Sequence, residues 1–141
     1  IDILVVDDEE DFVEMLSMRL SDAGHRVRTA FDGDAALAAL DEAECDVVLL
    51  DIRMPGKDGI TVLKAIKHDH PLVEVILLTG HGTVDTAVDG LKSGAFDYVQ
   101  KPAKFDELLE KLEDARDHRA EHEKRVRRAE ARALMRHSGD V

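Results

Sequence analysis

The sequence lacks three features, and each absence excludes a class of protein. It has one cysteine, Cys45, so no disulfide can form within the chain, and a reducing compartment such as the cytoplasm is expected. No apolar run approaches the length of roughly 18 residues that would cross a membrane. No secretory leader is visible, although the chain starts at Ile1 and not at a methionine. We therefore expect a cytoplasmic protein that does not enter the membrane.

Basic residues are also in short supply, and the deficit is confined to one part of the chain. The net charge is −12. Residues 1–102 carry 21 Asp and Glu against nine Lys and Arg, whereas residues 103–141 carry ten of each. An acidic body repels phosphate, so direct binding of nucleic acid is not expected, and a metal cation or a basic partner is favoured.

Short aliphatic runs alternate with amphipathic segments along the chain. The runs predict five strands, at 1–6, 26–30, 46–50, 74–79 and 96–100. The segments between them predict helices, at about 10–23, 33–42, 59–68, 83–93 and from 104 onward. Three of the strands are continuously apolar, as expected for strands that are covered on both faces. Five such repeats predict a doubly wound α/β fold, with a parallel sheet between two layers of helices.

Polar residues stand where the predicted strands end. Asp7 and Asp8 follow the first strand, Asp51 follows the third, Thr79 ends the fourth and Lys101 follows the fifth. In sheets of this kind ligands bind at the carboxyl ends of the strands, so these side chains are expected to meet. Three carboxylates that close to one another need a cation, and an oxygen-only ligand set favours Mg²⁺ over zinc. With a hydroxyl and an ammonium added, the set describes a phosphoryl-transfer centre with an aspartate as nucleophile.

The stretches that carry these residues resemble the receiver domains of two-component response regulators: LVVDDEEDF at 4–12, VVLLDIRMPGKDG at 47–59, VILLTGHG at 75–82 and GAFDYVQKPA at 94–103. The resemblance covers residues 1–115. The motifs DIRMPGKDG and TGHGTVDTAVDGLKSGAFDY are most similar to receivers of sigma-54-dependent transcriptional activators of the nitrogen-regulation type. The resemblance implies a flavodoxin-like (βα)5 three-layer sandwich with strand order 2-1-3-4-5 and a cis peptide bond between Lys101 and Pro102.

The resemblance implies a role for each residue at the carboxyl edge of the sheet. Asp51 would accept a phosphoryl group from a sensor histidine kinase. Lys101 would pair with Asp51 before the transfer and with the phosphoryl group after it. Mg²⁺ would be held by Asp7, Asp8, Asp51 and the backbone carbonyl of Arg53. The chain would then be a signalling domain that catalyses only its own phosphorylation and dephosphorylation.

The resemblance also implies a conformational switch. Thr79 would turn inward to bond a phosphoryl oxygen, and Tyr98 would follow it from an outward to an inward rotamer. This change would reshape the face formed by the fourth helix, the fifth strand and the fifth helix, through which a homodimer could form. Arg53 and His81 would border the acyl phosphate and tune its hydrolysis.

The C-terminal part of the chain is predicted to be one unusually long helix, because residues 104–136 contain neither glycine nor proline. Apolar residues along it alternate in steps of three and four, as in a coiled coil, although Arg119 and His122 interrupt this seam. We expect residues 1–115 to form the receiver domain and residues 116–141 to form a helical linker that pairs with a second copy. A solvated helix without a partner is the alternative, and the output domain would lie outside this chain.

Other classes of function fit part of the pattern. A phosphatase of the haloacid-dehalogenase type also uses an aspartate nucleophile with Mg²⁺, but it needs a second aspartate two residues later, where this chain has Arg53. A stand-alone phosphorelay or interaction module would have the same site without an output domain. A purely structural module would have no use for the intact set of polar residues at the strand ends. Control of transcription through a phosphorylated receiver is therefore the leading prediction.

Overall fold

The computed structural model describes residues 1–54, 58–80 and 84–139. Five strands alternate in it with five helices. The strands are β1 (Asp2–Val6), β2 (Arg26–Ala30), β3 (Val47–Asp51), β4 (Glu74–Thr79) and β5 (Asp97–Gln100). The helices are α1 (Glu10–Asp22), α2 (Gly33–Glu42), α3 (Gly59–Asp69), α4 (Val84–Lys92) and α5 (Phe105–Gly139). The predicted order of elements is confirmed, with boundaries that shift by a few residues.

The strands form one parallel sheet in the order β2-β1-β3-β4-β5. The predicted flavodoxin-like sandwich is thereby confirmed. The register pairs Val6 with Leu50 and Leu50 with Leu77, so β1, β3 and β4 end at nearly the same level. Residues that follow these strands therefore emerge side by side at one edge of the sheet.

The sheet is covered on both faces, because its strands place alternate residues in two separate cores. In β1, Leu4 and Val6 pack with residues of α2, α3 and α4, while Ile3 and Val5 pack with residues of α1 and α5. Every residue of β3 is buried. Each apolar side chain buried in this way contributes roughly 1.5–3 kcal/mol, which holds the rigid framework that positions the strand ends.

Helix α5 continues well beyond the domain core. The prediction of one long helix is confirmed, since it runs for 35 residues. Its first turns bury Leu108, Leu112 and Ala115 against the sheet, and the side chain of Arg119 is still only 13% exposed. From Lys124 to Arg136 the residues are exposed. Within the described ranges neither α5 nor any other helix combines the length and the apolar character needed to span a bilayer.

Candidate functional site

Three aspartates meet at the carboxyl edge of the sheet, as the sequence predicts. Asp7 directly follows β1, and Asp51 is the last residue of β3. Asp7, Asp8 and Asp51 each present an oxygen, and these atoms lie within 4.8 Å of one another. Asp7 and Asp51 are buried, whereas Asp8 is exposed. The cluster therefore has one side open to solvent and two carboxylates held inside the protein.

Backbone hydrogen bonds orient the two buried carboxylates. Oδ1 of Asp7 accepts from the N–H of Glu9 at 3.0 Å, and Oδ1 of Asp51 accepts from the N–H of Arg53 at 3.0 Å. Each aspartate thus caps the loop that leaves its own strand, a short-range bond typical of Asp at a chain turn. The second oxygen of each carboxylate, Oδ2, faces the same lysine.

Lys101 is the cation shared by these carboxylates. Its Nζ lies 2.5 Å from Oδ2 of Asp7 and 3.9 Å from Oδ2 of Asp51. Its backbone N–H donates to the carbonyl of Thr79 at 2.6 Å, which ties the start of the loop after β5 to the end of β4. The Lys101–Pro102 peptide bond is cis, so that prediction is confirmed. Lys101 is therefore closer to Asp7 than to the predicted nucleophile.

Burial sets the electrostatics of Asp51. It raises the pKa of the carboxyl from 3.8 to about 6, and the neighbouring negative charge of Asp7 adds to the rise. The hydrogen bond from the Arg53 N–H and the charge of Lys101 lower the pKa, but they do not outweigh burial. A carboxylate held where its charge is costly is stabilised by an added cation, and this is the property expected of a metal ligand.

Gly59 lets the loop after β3 pass close to α3. A Cβ atom at this position would lie 2.6 Å from the carbonyl oxygen of Ile52 and 2.8 Å from that of Asp51. These are backbone atoms, which cannot rotate away as a side chain could. The N–H of Gly59 also donates to the Ile52 carbonyl at 3.2 Å. The absence of a side chain at the first residue of α3 therefore helps to fix the backbone that carries Asp51.

The residues of the predicted switch, Thr79 and Tyr98, lie on the neighbouring strands β4 and β5. Thr79 is buried, and its hydroxyl donates to the carbonyl of Val99 across to β5 at 3.4 Å. Tyr98 is half-buried and packs against the core formed with α2, α3 and α4. The ammonium of Lys111, on α5, lies 5.7 Å from the centre of the Tyr98 ring. Tyr98 thus links the central sheet to the last helix.

Two further residues, Arg53 and His81, are predicted to border the site. Arg53 places its backbone N–H on Asp51, while its side chain is exposed. His81 lies outside the described residues. The sequence reasoning also missed Phe12, whose ring centre is 4.3 Å from Nζ of Lys101. The available signal was its position one helical turn after Asp8, at the start of α1.

Comparison with known proteins yields a consistent set of relatives. A family model, the response regulator receiver domain, matches residues 3–113. The transcriptional regulatory protein ZraR of Salmonella typhimurium is 45% identical over 121 residues, which cover 86% of this chain and 27% of that protein. The nitrogen assimilation regulatory protein NtrX of Azorhizobium caulinodans is 42% identical over 110 residues, covering 77% and 24% respectively.

A solved structure resembles this chain over most of its length. The receiver domain of NtrX from Brucella abortus aligns with a TM-score of 0.79 and 45% identity, covering 82% of this chain and 98% of that one. By contrast, the chain spans only about a quarter of the length of the curated relatives that it matches. The remaining three quarters of those regulators have no counterpart in the matched region.

Proposed function

Because the chain belongs to the response regulator receiver family, we propose that it accepts a phosphoryl group on Asp51 from a sensor histidine kinase in the cytoplasm. One observation carries the proposal. Asp51 ends β3 beside Asp7 and Asp8, and Lys101 lies within 4 Å of two of these carboxylates. The similarity to ZraR and NtrX supports control of transcription as the result, through an output domain outside this chain.

The geometry of Asp51 favours one oxygen as the nucleophile. Oδ1 is already engaged by the N–H of Arg53, so the attack is expected from Oδ2. An electron pair of Oδ2 forms the new O–P bond, while the P–N bond to the kinase histidine breaks and its electron pair stays on the imidazole nitrogen. The positive charge of Lys101, 3.9 Å from Oδ2, favours the ionised carboxylate that a nucleophile requires.

The donor set fits Mg²⁺. Asp7, Asp8 and Asp51 bring three hard oxygen ligands within 4.8 Å of one another, and two of these carboxylates are buried. The backbone carbonyl of Arg53 is the proposed fourth protein ligand. When bound, Mg²⁺ would neutralise negative charge on the phosphoryl oxygens. The residues of the chain would supply the nucleophile, its orientation and the lysine that balances the remaining charge.

Phosphorylation would redistribute the bonds around Asp51. A phosphoryl group adds about −1.5 to −2 charge, and this charge would attract the ammonium of Lys101 away from Asp7. Thr79 would exchange its long 3.4 Å bond to the Val99 carbonyl for a bond to a phosphoryl oxygen. Tyr98 would then move inward and reshape the face of α4, β5 and α5. Arg53 and His81 are proposed to border the acyl phosphate and to tune its hydrolysis.

A change in the shape of this face would alter how a second copy of the chain binds to it. Val88 and Leu91 of α4 are 42% and 38% exposed, so α4 presents apolar side chains to solvent. We propose a homodimer through this face, through residues 116–141 of the helical linker, or through both. The boundary near residue 115 between receiver and linker is part of the same proposal.

Incubation with acetyl phosphate and Mg²⁺ tests the proposed function. Intact-mass spectrometry should show the gain of one phosphoryl group that hydroxylamine removes. Asp51→Asn should abolish the gain, because an amide oxygen is a poor nucleophile. Asp89→Asn, which removes an exposed aspartate from α4, is the matched control and should behave like the unaltered chain. A chain that never gains mass, or an Asp51→Asn variant that gains it normally, would refute the assignment.

A further inference from the structure

We propose that Phe12 is a positioning residue for Lys101, holding its ammonium over an aromatic ring so that it can pass between Asp7 and the phosphoryl group on Asp51. The inference rests on the proposed function of Lys101 and adds a component from α1.

Three groups surround the ammonium of Lys101 in the described part of the site. Oδ2 of Asp7 is 2.5 Å away and Oδ2 of Asp51 is 3.9 Å away. The centre of the Phe12 ring is 4.3 Å away, within the distance of about 6 Å over which a ring face attracts a cation. The lysine side chain is only 21% exposed, so water weakens these interactions less than at an open surface.

A ring suits this position better than a third carboxylate would. Lysine carries its charge on a flexible four-carbon stem and loses much of its rotamer freedom when it is fixed. The ring face restricts the ammonium to one region without neutralising its charge. A carboxylate in place of Phe12 would bind the ammonium strongly and compete with the incoming phosphoryl group. The aromatic contact therefore orients Lys101 and leaves its charge available.

The seam between α1 and α5 contains a second aromatic residue that serves as a control. Phe12 and Phe105 both line a small cavity of about 60 Å³ between these helices. The ring of Phe105 contacts a different cation, since the guanidinium carbon of Arg19 lies 4.1 Å from its ring centre. Both rings are partly buried in the same core cluster. Replacing either ring by leucine should thus have similar packing costs, while only one of the replacements removes the ring beside Lys101.

Three variants of the chain test the inference: Phe12→Leu, Phe12→Tyr and Phe105→Leu. With acetyl phosphate and Mg²⁺, Phe12→Leu should slow the phosphorylation of Asp51 by about two- to tenfold, the range that a partly desolvated cation–π contact allows. Phe12→Tyr keeps a ring face and should restore the rate. Phe105→Leu should leave the rate unchanged. Thermal unfolding of each variant verifies that all three fold.

A second measurement separates positioning from packing and does not depend on phosphorylation. The ring current of Phe12 is expected to shift the NMR signals of the Lys101 methylene group next to Nζ. Phe12→Leu should remove that shift, whereas Phe105→Leu should retain it. The inference is overturned if Phe12→Leu leaves both the rate and the Lys101 signals unchanged, or if Phe105→Leu slows the reaction equally. If the unaltered chain gains no phosphoryl group, the proposed function fails, and the NMR comparison alone decides the placement of Lys101.

Discussion

Replacing Arg119 by alanine should loosen the part of α5 that follows the domain core. Arg119 lies one turn beyond Ala115, where the apolar contacts of the helix end. Its Nε is 3.4 Å from Oδ1 of Asp46, and its Nη2 is 3.7 Å from Oε1 of Glu44 and 3.1 Å from Oε1 of Glu123. Two of these carboxylates belong to the body of the domain, so the arginine joins the long helix to the amino edge of the sheet.

The expected loss in the free energy of unfolding is about 1–2 kcal/mol. The partners of Arg119 are between 28% and 43% exposed, so each ion pair is worth only a few tenths to about 1 kcal/mol. The apolar stem of the largely buried arginine adds packing that alanine would lose. One guanidinium nitrogen, Nη1, is buried with no hydrogen-bond partner among the described residues, which offsets part of the gain.

Arg127→Ala is the matched control for this prediction. Arg127 pairs with the same Glu123 at 3.3 Å, but its side chain is 73% exposed. Both substitutions replace arginine by alanine in the same helix. Urea unfolding gives the global effect, and amide hydrogen exchange over residues 116–124 gives the local one. Equal values for the two variants, within about 0.5 kcal/mol, would show that Arg119 does not anchor the helix.

Two further predictions concern a buried histidine and the glycine beneath the site. Burial by itself would lower the pKa of His70, but hydrogen bonds and charge from Glu44 and Asp41 outweigh it and raise the pKa above 6.5. Stability from this raised pKa is present below pH 6.5 and is lost as the pH rises through the folded value. In urea unfolding His70→Gln should therefore cost more at pH 5.5 than at pH 8.5, and a cost independent of pH would contradict this. Gly59→Ala should lower the free energy of unfolding by about 1–3 kcal/mol and slow phosphorylation of Asp51, because its methyl group displaces the backbone of Asp51. Gly80→Ala, whose added Cβ would meet nothing within 4 Å, should leave stability unchanged, and an equal loss in both variants would refute the steric argument.

The carboxyl edge of the sheet could be predicted from the sequence because it depends on local patterns. The run Val47–Leu50 is apolar on both faces of its strand, so its burial follows from composition, and Asp51 necessarily stands where it ends. Parallel strands with helical crossovers bring such ends to one edge. The meeting of Asp7, Asp8 and Asp51 therefore needed only the correct order of elements.

The interactions that the sequence did not reveal depend on how helices dock. His70 bonds to Glu44, 26 residues earlier in the chain, and no periodicity relates the two. The contact between Phe12 and Lys101 requires α1 to lie beside the loop after β5. Arg119 interrupts the apolar seam of α5, yet its side chain is largely buried by ion pairs with the body of the domain. An arginine in an apolar seam can be buried in this way only if carboxylates face it. Whether carboxylates lie there depends on how the helix docks on the domain.

The two edges of the sheet are both acidic, but they differ in how their charges are matched. At the amino edge, Asp46 is paired with Arg119 at 3.4 Å, and Glu74 lies 3.8 Å from Lys67. The arginine arrives there because α5 runs the full length of the sheet and continues past it. These carboxylates are therefore compensated by the protein itself and have a structural role.

At the carboxyl edge the charges are not matched within the described part of the chain. There Asp7 and Asp51 share Lys101, and Asp8 adds a third negative charge to the same cluster. A surplus of this kind, next to Asp51, whose pKa is raised by burial, favours a bound cation. If the two edges are independent in this sense, Arg119→Ala should reduce stability while the rate at which Asp51 is phosphorylated stays the same. A parallel loss of that rate would show that the anchor of the long helix is coupled to the phosphorylation site.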